Sequence, residues 1–209
     1  MTYVKICGIT SVTDAMLAVT AGADAIGLNF VPTSKRVIDI ATAAHISDAV
    51  GSDVELVAVV ADRSLPELEE LRLATGIRWL QLHGSEAPKD LELVLPDAYK
   101  AIAIGTREDV GRAAHYGGSR LLVDAKVDGE PGGTGQRFDW SLAVPLAERR
   151  DLIVAGGLTP ENVTDALRAL RPFGVDVASG VEDPSNRRAK DPARVRAFID
   201  AVRAVEAKP

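Results

Sequence analysis

The chain has 209 residues, 46% of them hydrophobic, with a formal net charge of −6 and a single cysteine. That size and apolar share are expected to fill one core, and acidity without basic runs argues against nucleic acid as a partner. One cysteine excludes an intramolecular disulfide and a thiolate-rich zinc site, and no apolar run approaches the roughly 20 residues of a membrane-spanning helix.

Met1 leads straight into a strand-like segment with no basic and then apolar leader, so a cytoplasmic protein is expected. Short apolar, β-branched runs predict eight strands, at Val4–Cys7, Ala25–Phe30, Leu56–Val60, Trp79–Leu82, Tyr99–Ala103, Leu121–Val123, Leu152–Ala155 and Val175–Ala178. Most lack strict alternation, as expected when both faces of a parallel sheet are covered. Helix signals fill the gaps. Ser11 with Asp14, and Ser64 with Glu67, have capping-box spacing. Gly22, Gly51, Gly76 and Gly174 stand where helices should stop. Thr159-Pro160 and Asp191-Pro192 each put an N-cap before a proline at the first helical position. Val163, Leu167 and Leu170 share one helical face, as do Val195, Phe198, Ile199 and Val202.

Alternating strand and helix implies parallel strands joined by right-handed crossovers. Eight units of roughly 20 to 30 residues favour a single α/β domain over residues 1–209, a closed (β/α)8 barrel, over an open doubly wound sheet. No GxGxxG follows an early strand, which weakens a dinucleotide-binding reading. The segment Val127–Phe138 predicts a long, glycine-rich loop.

In such a barrel the chemistry sits where strands end and βα loops begin. The polar and reactive residues there are Cys7, Asp62, His83, Asp124, the turn Ala155–Leu158 and the segment Ala178–Glu182. Gly156 and Gly157 after the seventh strand, and Ser179 and Gly180 after the eighth, predict a phosphate site built from backbone N–H groups. A lone cysteine is usually a small buried hydrophobe. Cys7 however shares its side-chain direction with Lys5, whose ammonium would favour a thiolate able to act as a base. Asp124 either caps its loop or serves as a general acid facing Cys7, if its surroundings keep it protonated. His83 is placed to line the site, whereas His45 and His115 are expected on solvent-facing helix surfaces. Arg36, in Ser34-Lys35-Arg36, is either solvated surface or a two-pronged carboxylate anchor. The scattered histidines show no HExxH or calcium-loop spacing, so no catalytic metal is expected.

These residues fall within motifs that resemble the phosphoribosylanthranilate isomerase family of TIM barrels. The motifs are KICGIT at Lys5–Thr10, SKR at Ser34–Arg36, QLHG at Gln81–Gly84, LLVDA at Leu121–Ala125, GGTGQRFDW at Gly132–Trp140, AGGLTPENV at Ala155–Val163 and VDVASGVE at Val175–Glu182. They run in family order across nearly the whole chain. The resemblance implies an Amadori rearrangement of N-(5′-phosphoribosyl)anthranilate in tryptophan biosynthesis, without a cofactor. It assigns Cys7 as base, Asp124 as acid, Arg36 to the anthranilate carboxylate and the last two turns to the phosphate. The implied partner is this small phosphorylated substrate, with the protein acting as a monomer or homodimer. Three departures from the family pattern stand out: Asp62 where an amide is expected, Gln136 where lysine is common, and Asn186–Ala189 without the usual glycine. The related histidine-pathway isomerase carries an aspartate where this chain has Cys7. A Schiff-base aldolase using Lys100 or Lys126, and a barrel that binds phosphorylated ligands without turnover, are the other readings.

Overall fold

The computed structural model describes residues 1–125 and 140–206. Eight parallel strands close into a barrel in sequence order: β1 (Tyr3–Cys7), β2 (Ala25–Asn29), β3 (Glu55–Val60), β4 (Trp79–Leu82), β5 (Ala98–Ile104), β6 (Arg120–Ala125), β7 (Asp151–Ala155) and β8 (Gly174–Val177). The expected fold is correct, with strand ends shifted by a residue or two. Helices α1 (Val12–Ala21), α2 (Ile40–Val50), α3 (Leu65–Thr75), α4 (Pro88–Glu92), α5 (Arg107–Ala113), α6 (Val144–Ala147), α7 (Val163–Leu170) and α8 (Pro192–Glu206) follow the strands around the outside. After β8 comes a 3-10 turn at Ser179–Val181 and a small hairpin, β9 (Glu182–Asp183) with β10 (Asn186–Lys190), before α8 begins. The expected loop Val127–Phe138, with Gln136 and Lys126, lies outside the described residues. No described helix is long and apolar enough to cross a membrane.

Outward-facing strand residues such as Val4, Ile6, Ile26 and Leu28 join the helices in one large apolar cluster. Inward-facing ones follow the period of two and fill the barrel in layers. At the bottom the Arg120 guanidinium lies 3.9 Å from the Trp79 ring centre and pairs with Glu55 at 2.7 Å, and Tyr3 also donates to Glu55 at 2.5 Å. Above come Val57, Tyr99, Ala101, Leu122 and Ile153. The next layer is polar: Lys5 pairs with Asp176 at 3.0 Å and donates to Gln81 at 2.9 Å. Cys7, Asn29 and Asp124 follow one step further up their strands, at the open end.

Local signals were mostly obeyed, with three corrections. Ser11 caps α1 by accepting from Asp14 N, without the reciprocal arm of a capping box. Thr159-Pro160 does not start α7. Asn162 accepts from Thr159 N, a turn forms first, and the helix begins at Val163. Gly174 does not end α7 either. Arg171 takes the left-handed C-cap, and Gly174 opens β8, where a Cβ would come within 2.7 Å of Tyr3 O. Asp191 does cap α8, accepting from Ala193 N and Arg194 N.

Candidate active site

The C-terminal strand ends surround a cavity of about 420 Å³. Cys7, Arg36, His83, Asp124, Gly156–Gly157 and Ser179 all line it. Residues from six separated stretches of sequence thus meet at one mouth, because each ends its strand or lies in the loop beyond.

Cys7 ends β1 and is 8% exposed. Burial pushes its thiol above the usual range and the Asp176 charge adds to this, while Lys5 and Lys190 pull the other way. Lys5 was expected to line the site and assist Cys7. It instead lies fully buried one layer below the cavity, and its ammonium is shared with Asp176 and Gln81. Its help to the thiol is real in direction but is outweighed by desolvation.

Asp124 sits on β6, near its end. Burial, and secondarily the Asp176 charge, raise its pKa to about 6. A carboxyl so shifted holds its proton far better than a surface aspartate, as a general acid requires. His83, which also lines the mouth, is lowered first by desolvation and then by the Lys5 charge, and its Nδ1 lies 2.9 Å from Gln81 Nε2.

Arg36 reaches the cavity from the loop after β2. Its Nε donates to Glu182 Oε1, and its methylene stem lies against Gly8, where a Cβ would meet Arg36 Cδ. One edge of the guanidinium is thereby fixed on the protein, and among the described residues no hydrogen bond occupies its terminal amino groups, which leaves them for a ligand.

The two glycine turns divide. Gly156 and Gly157 have φ of 89° and 62°, a left-handed bend that turns the backbone toward the cavity. Ser179 begins the 3-10 turn beside them. Gly180 does not line the cavity. A Cβ there would lie 1.9 Å from Leu158 O, so this glycine lets the β7 and β8 loops pack backbone to backbone.

Asp62 ends up elsewhere. It accepts from Ser85 N at 2.6 Å and lines a separate hollow with Arg63 and Glu86. Lys100 is buried, donating to Leu82 O, Gly84 O and Glu86, and does not line the cavity. That position gives no support to an aldolase built on it. His45 is exposed on α2, and His115 is exposed in the turn just beyond α5. Arg188, in the stretch lacking the family glycine, donates to Lys35 O and Val37 O and so ties the hairpin to the loop carrying Arg36.

Sequence reading missed Asn29, Gln81 and Asp176 as site residues, although all three line the cavity. The period of two could have found them: Asn29 lies two after Gly27, Asp176 two before Ala178, and Gln81 two before His83. Glu182 ended the segment already singled out after the eighth strand, whereas Lys190 had no such signal, since only the hairpin beyond β8 brings it near the site. Among the described residues, no three His, Cys, Asp or Glu side chains gather so as to hold a metal ion.

The chain resembles known proteins over nearly its whole length. The family model described as N-(5'phosphoribosyl)anthranilate (PRA) isomerase matches residues 4–201. The chain is 47% identical over 202 residues to N-(5'-phosphoribosyl)anthranilate isomerase of Pseudomonas aeruginosa (strain LESB58), covering 96% of this chain and 94% of that one. Phosphoribosyl anthranilate isomerase from Thermotoga maritima has the same fold, with a TM-score of 0.89 at 36% identity over 98% of this chain and all of that one. A phosphoribosyl anthranilate isomerase in complex with reduced 1-(o-carboxyphenylamino)-1-deoxyribulose 5-phosphate matches at a TM-score of 0.86 and 33% identity, over 98% of this chain and 100% of that one. The chain belongs to the N-(5'-phosphoribosyl)anthranilate isomerase family, and it is an isomerase of tryptophan biosynthesis.

Proposed function

We propose that this chain rearranges N-(5′-phosphoribosyl)anthranilate to 1-(2-carboxyphenylamino)-1-deoxyribulose 5-phosphate with Cys7 as general base and Asp124 as general acid. Asp124 gives its proton to the ribose ring oxygen while the anthranilate nitrogen pushes its lone pair toward C1′, opening the ring to an iminium. The Cys7 thiolate takes the C2′ proton. The C–H electron pair moves into a C1′–C2′ double bond, and the nitrogen recovers its lone pair. Proton movement from the 2′ hydroxyl to C1′ then leaves the ketone. The iminium nitrogen is the electron sink, so the chemistry proceeds without a cofactor.

Arg36 anchors the anthranilate carboxylate through its terminal amino groups, Glu182 holding the other edge of the guanidinium. Backbone amides at Gly156, Gly157 and Ser179 hold the phosphate, with the Gly180 amide next in the turn. The observation that carries the reading is that Cys7 and Asp124 border one cavity that also meets Arg36 and the glycine turn. A single copy of the chain provides all of these residues. A Thermotoga maritima relative is known as a dimer and as monomers generated from it, and the site proposed here works in either state.

The test follows loss of phosphoribosylanthranilate fluorescence. Removing a true acid or base costs roughly 10²–10⁴-fold in rate, so Cys7→Ala and Asp124→Asn should each lose that much kcat while keeping wild-type circular dichroism. Near wild-type kcat in either variant removes that residue from the mechanism.

A further inference from the structure

Cys7 has a charged neighbour that the mechanism above does not use. Lys190 lies on β10, in the hairpin beyond the barrel, and is only 4% exposed. Its Nζ donates to Ala178 O at 3.0 Å. Ala178 lines the cavity, and the parallel pairing of Ile6 with Val177 places Ala178 beside Cys7 across the β1–β8 seam. The ammonium is therefore held on the backbone of a cavity-lining residue next to Cys7 in register, without itself lining the cavity.

The other charges facing these two groups are largely matched. Lys5 on β1 pairs with Asp176 on β8 at 3.0 Å. Glu182 on β9 pairs with Arg36 from the β2 loop and lies 3.8 Å from Lys35. Asp14 on α1 acts on Lys190 from the helix side. Among the described residues, the Ala178 carbonyl is the hydrogen-bond partner of the Lys190 ammonium, and no carboxylate comes within ion-pair distance. Burying an ammonium on a carbonyl alone costs stability, and groups kept at such a cost concentrate at functional sites.

We infer that Lys190 is a positioning residue for the isomerisation, its buried ammonium supplying the field that favours the Cys7 thiolate. The inference rests on the assignment of Cys7 as base. Burial lowers Lys190 to about 8 and the Cys7 charge opposes that shift, so the cation persists at neutral pH, where the thiolate is needed. Lys5 also favours the thiolate, by its charge and by a hydrogen bond to the thiol, but the Asp176 carboxylate paired with it acts on the thiol in the opposite sense.

Cys7 is the only cysteine in the chain, so thiolate ultraviolet absorbance, taken against a Cys7→Ala blank, titrates this one thiol. In Lys190→Met the thiol should titrate roughly one unit higher than in wild type. One unit means about tenfold less thiolate at fixed pH, so kcat at neutral pH should fall about tenfold with KM unchanged. Lys190→Gln keeps a donor for the Ala178 carbonyl but no charge, and should show the same shift. Lys190→Arg should stay near wild type. An unshifted thiol in Lys190→Met, a wild-type titration in Lys190→Gln, or a shift in Lys190→Arg as large as that in Lys190→Met overturns the inference. If Lys190→Met does not fold, Lys190→Gln carries the test. Failure of the base assignment shows separately, as wild-type kcat in Cys7→Ala, while the thiol titration still reads the field.

Discussion

Burial acts on the proposed acid and the proposed base in opposite senses for catalysis. It favours the protonated form of Asp124, as an acid needs, and also that of Cys7, whose proton a base must shed. The site therefore needs positive charge near the thiol, and the layer of Lys5, Asp176 and Gln81 meets that need only in part because the ammonium is shared. Arg36 has a simpler task. Hydrogen bonds to charged groups are worth about 1.5–3 kcal/mol each, so Arg36→Met should raise KM by roughly 10- to 100-fold and leave kcat near wild type. An unchanged KM in steady-state kinetics would move the carboxylate site elsewhere. At this scale Cys7, Asp124 and His83 were legible because strand ends in an eight-unit αβ pattern mark themselves, and Arg36 because it stands in a basic pair in the loop after the second strand. Asp176 was hidden inside an apolar run, its charge readable only once Lys5 was known to face it.

Elements were legible where one local interaction decides them and less so where packing decides. Asp191 and Ser64 mark helix starts through their own hydrogen bonds. Gly174 and Gly180 misled, because a glycine reports only that something comes close, not what. At Gly174 the neighbour is Tyr3, and at Gly180 it is the Leu158 carbonyl. Gly180→Ala accordingly has no room for its methyl group unless the two loops separate. It should destabilise the fold by about 1–3 kcal/mol, as overpacking does, and lower phosphate affinity indirectly by displacing Ser179. Thermal melting with and without inorganic phosphate checks both, and an unchanged Tm would show that the loops yield without cost.

For the whole molecule, the alternation of strand and helix was enough to indicate a closed barrel, since covered parallel strands and right-handed crossovers leave few other arrangements. The sequence could not show how closure is secured. Lys5 on the first strand meets Asp176 on the last, fully inside the barrel, and this pair joins β1 to β8 where the ring closes. Removing one partner of a buried pair strands the other charge, at a cost of about 3–5 kcal/mol. Asp176→Ala should lower unfolding free energy in urea by that amount. A loss below about 1 kcal/mol, the range of exposed ion pairs, would mean that water reaches Lys5 and that closure rests on apolar packing.

The pairing of a thiolate base with a carboxylic acid is tested most directly by the pH dependence of kcat/KM, which reports the free enzyme. The competent form has Cys7 ionised and Asp124 protonated, although Asp124 loses its proton at the lower pH. The product of those two fractions rises with pH up to about 6, where Asp124 ionises, stays level while one loss cancels the other gain, and falls once the thiol ionises. Wild type should show this plateau, with its acid limb near 6. Asp124→Asn, with no proton to lose, should instead show residual activity that keeps climbing through neutral pH. The same acid limb and plateau in Asp124→Asn would contradict the account.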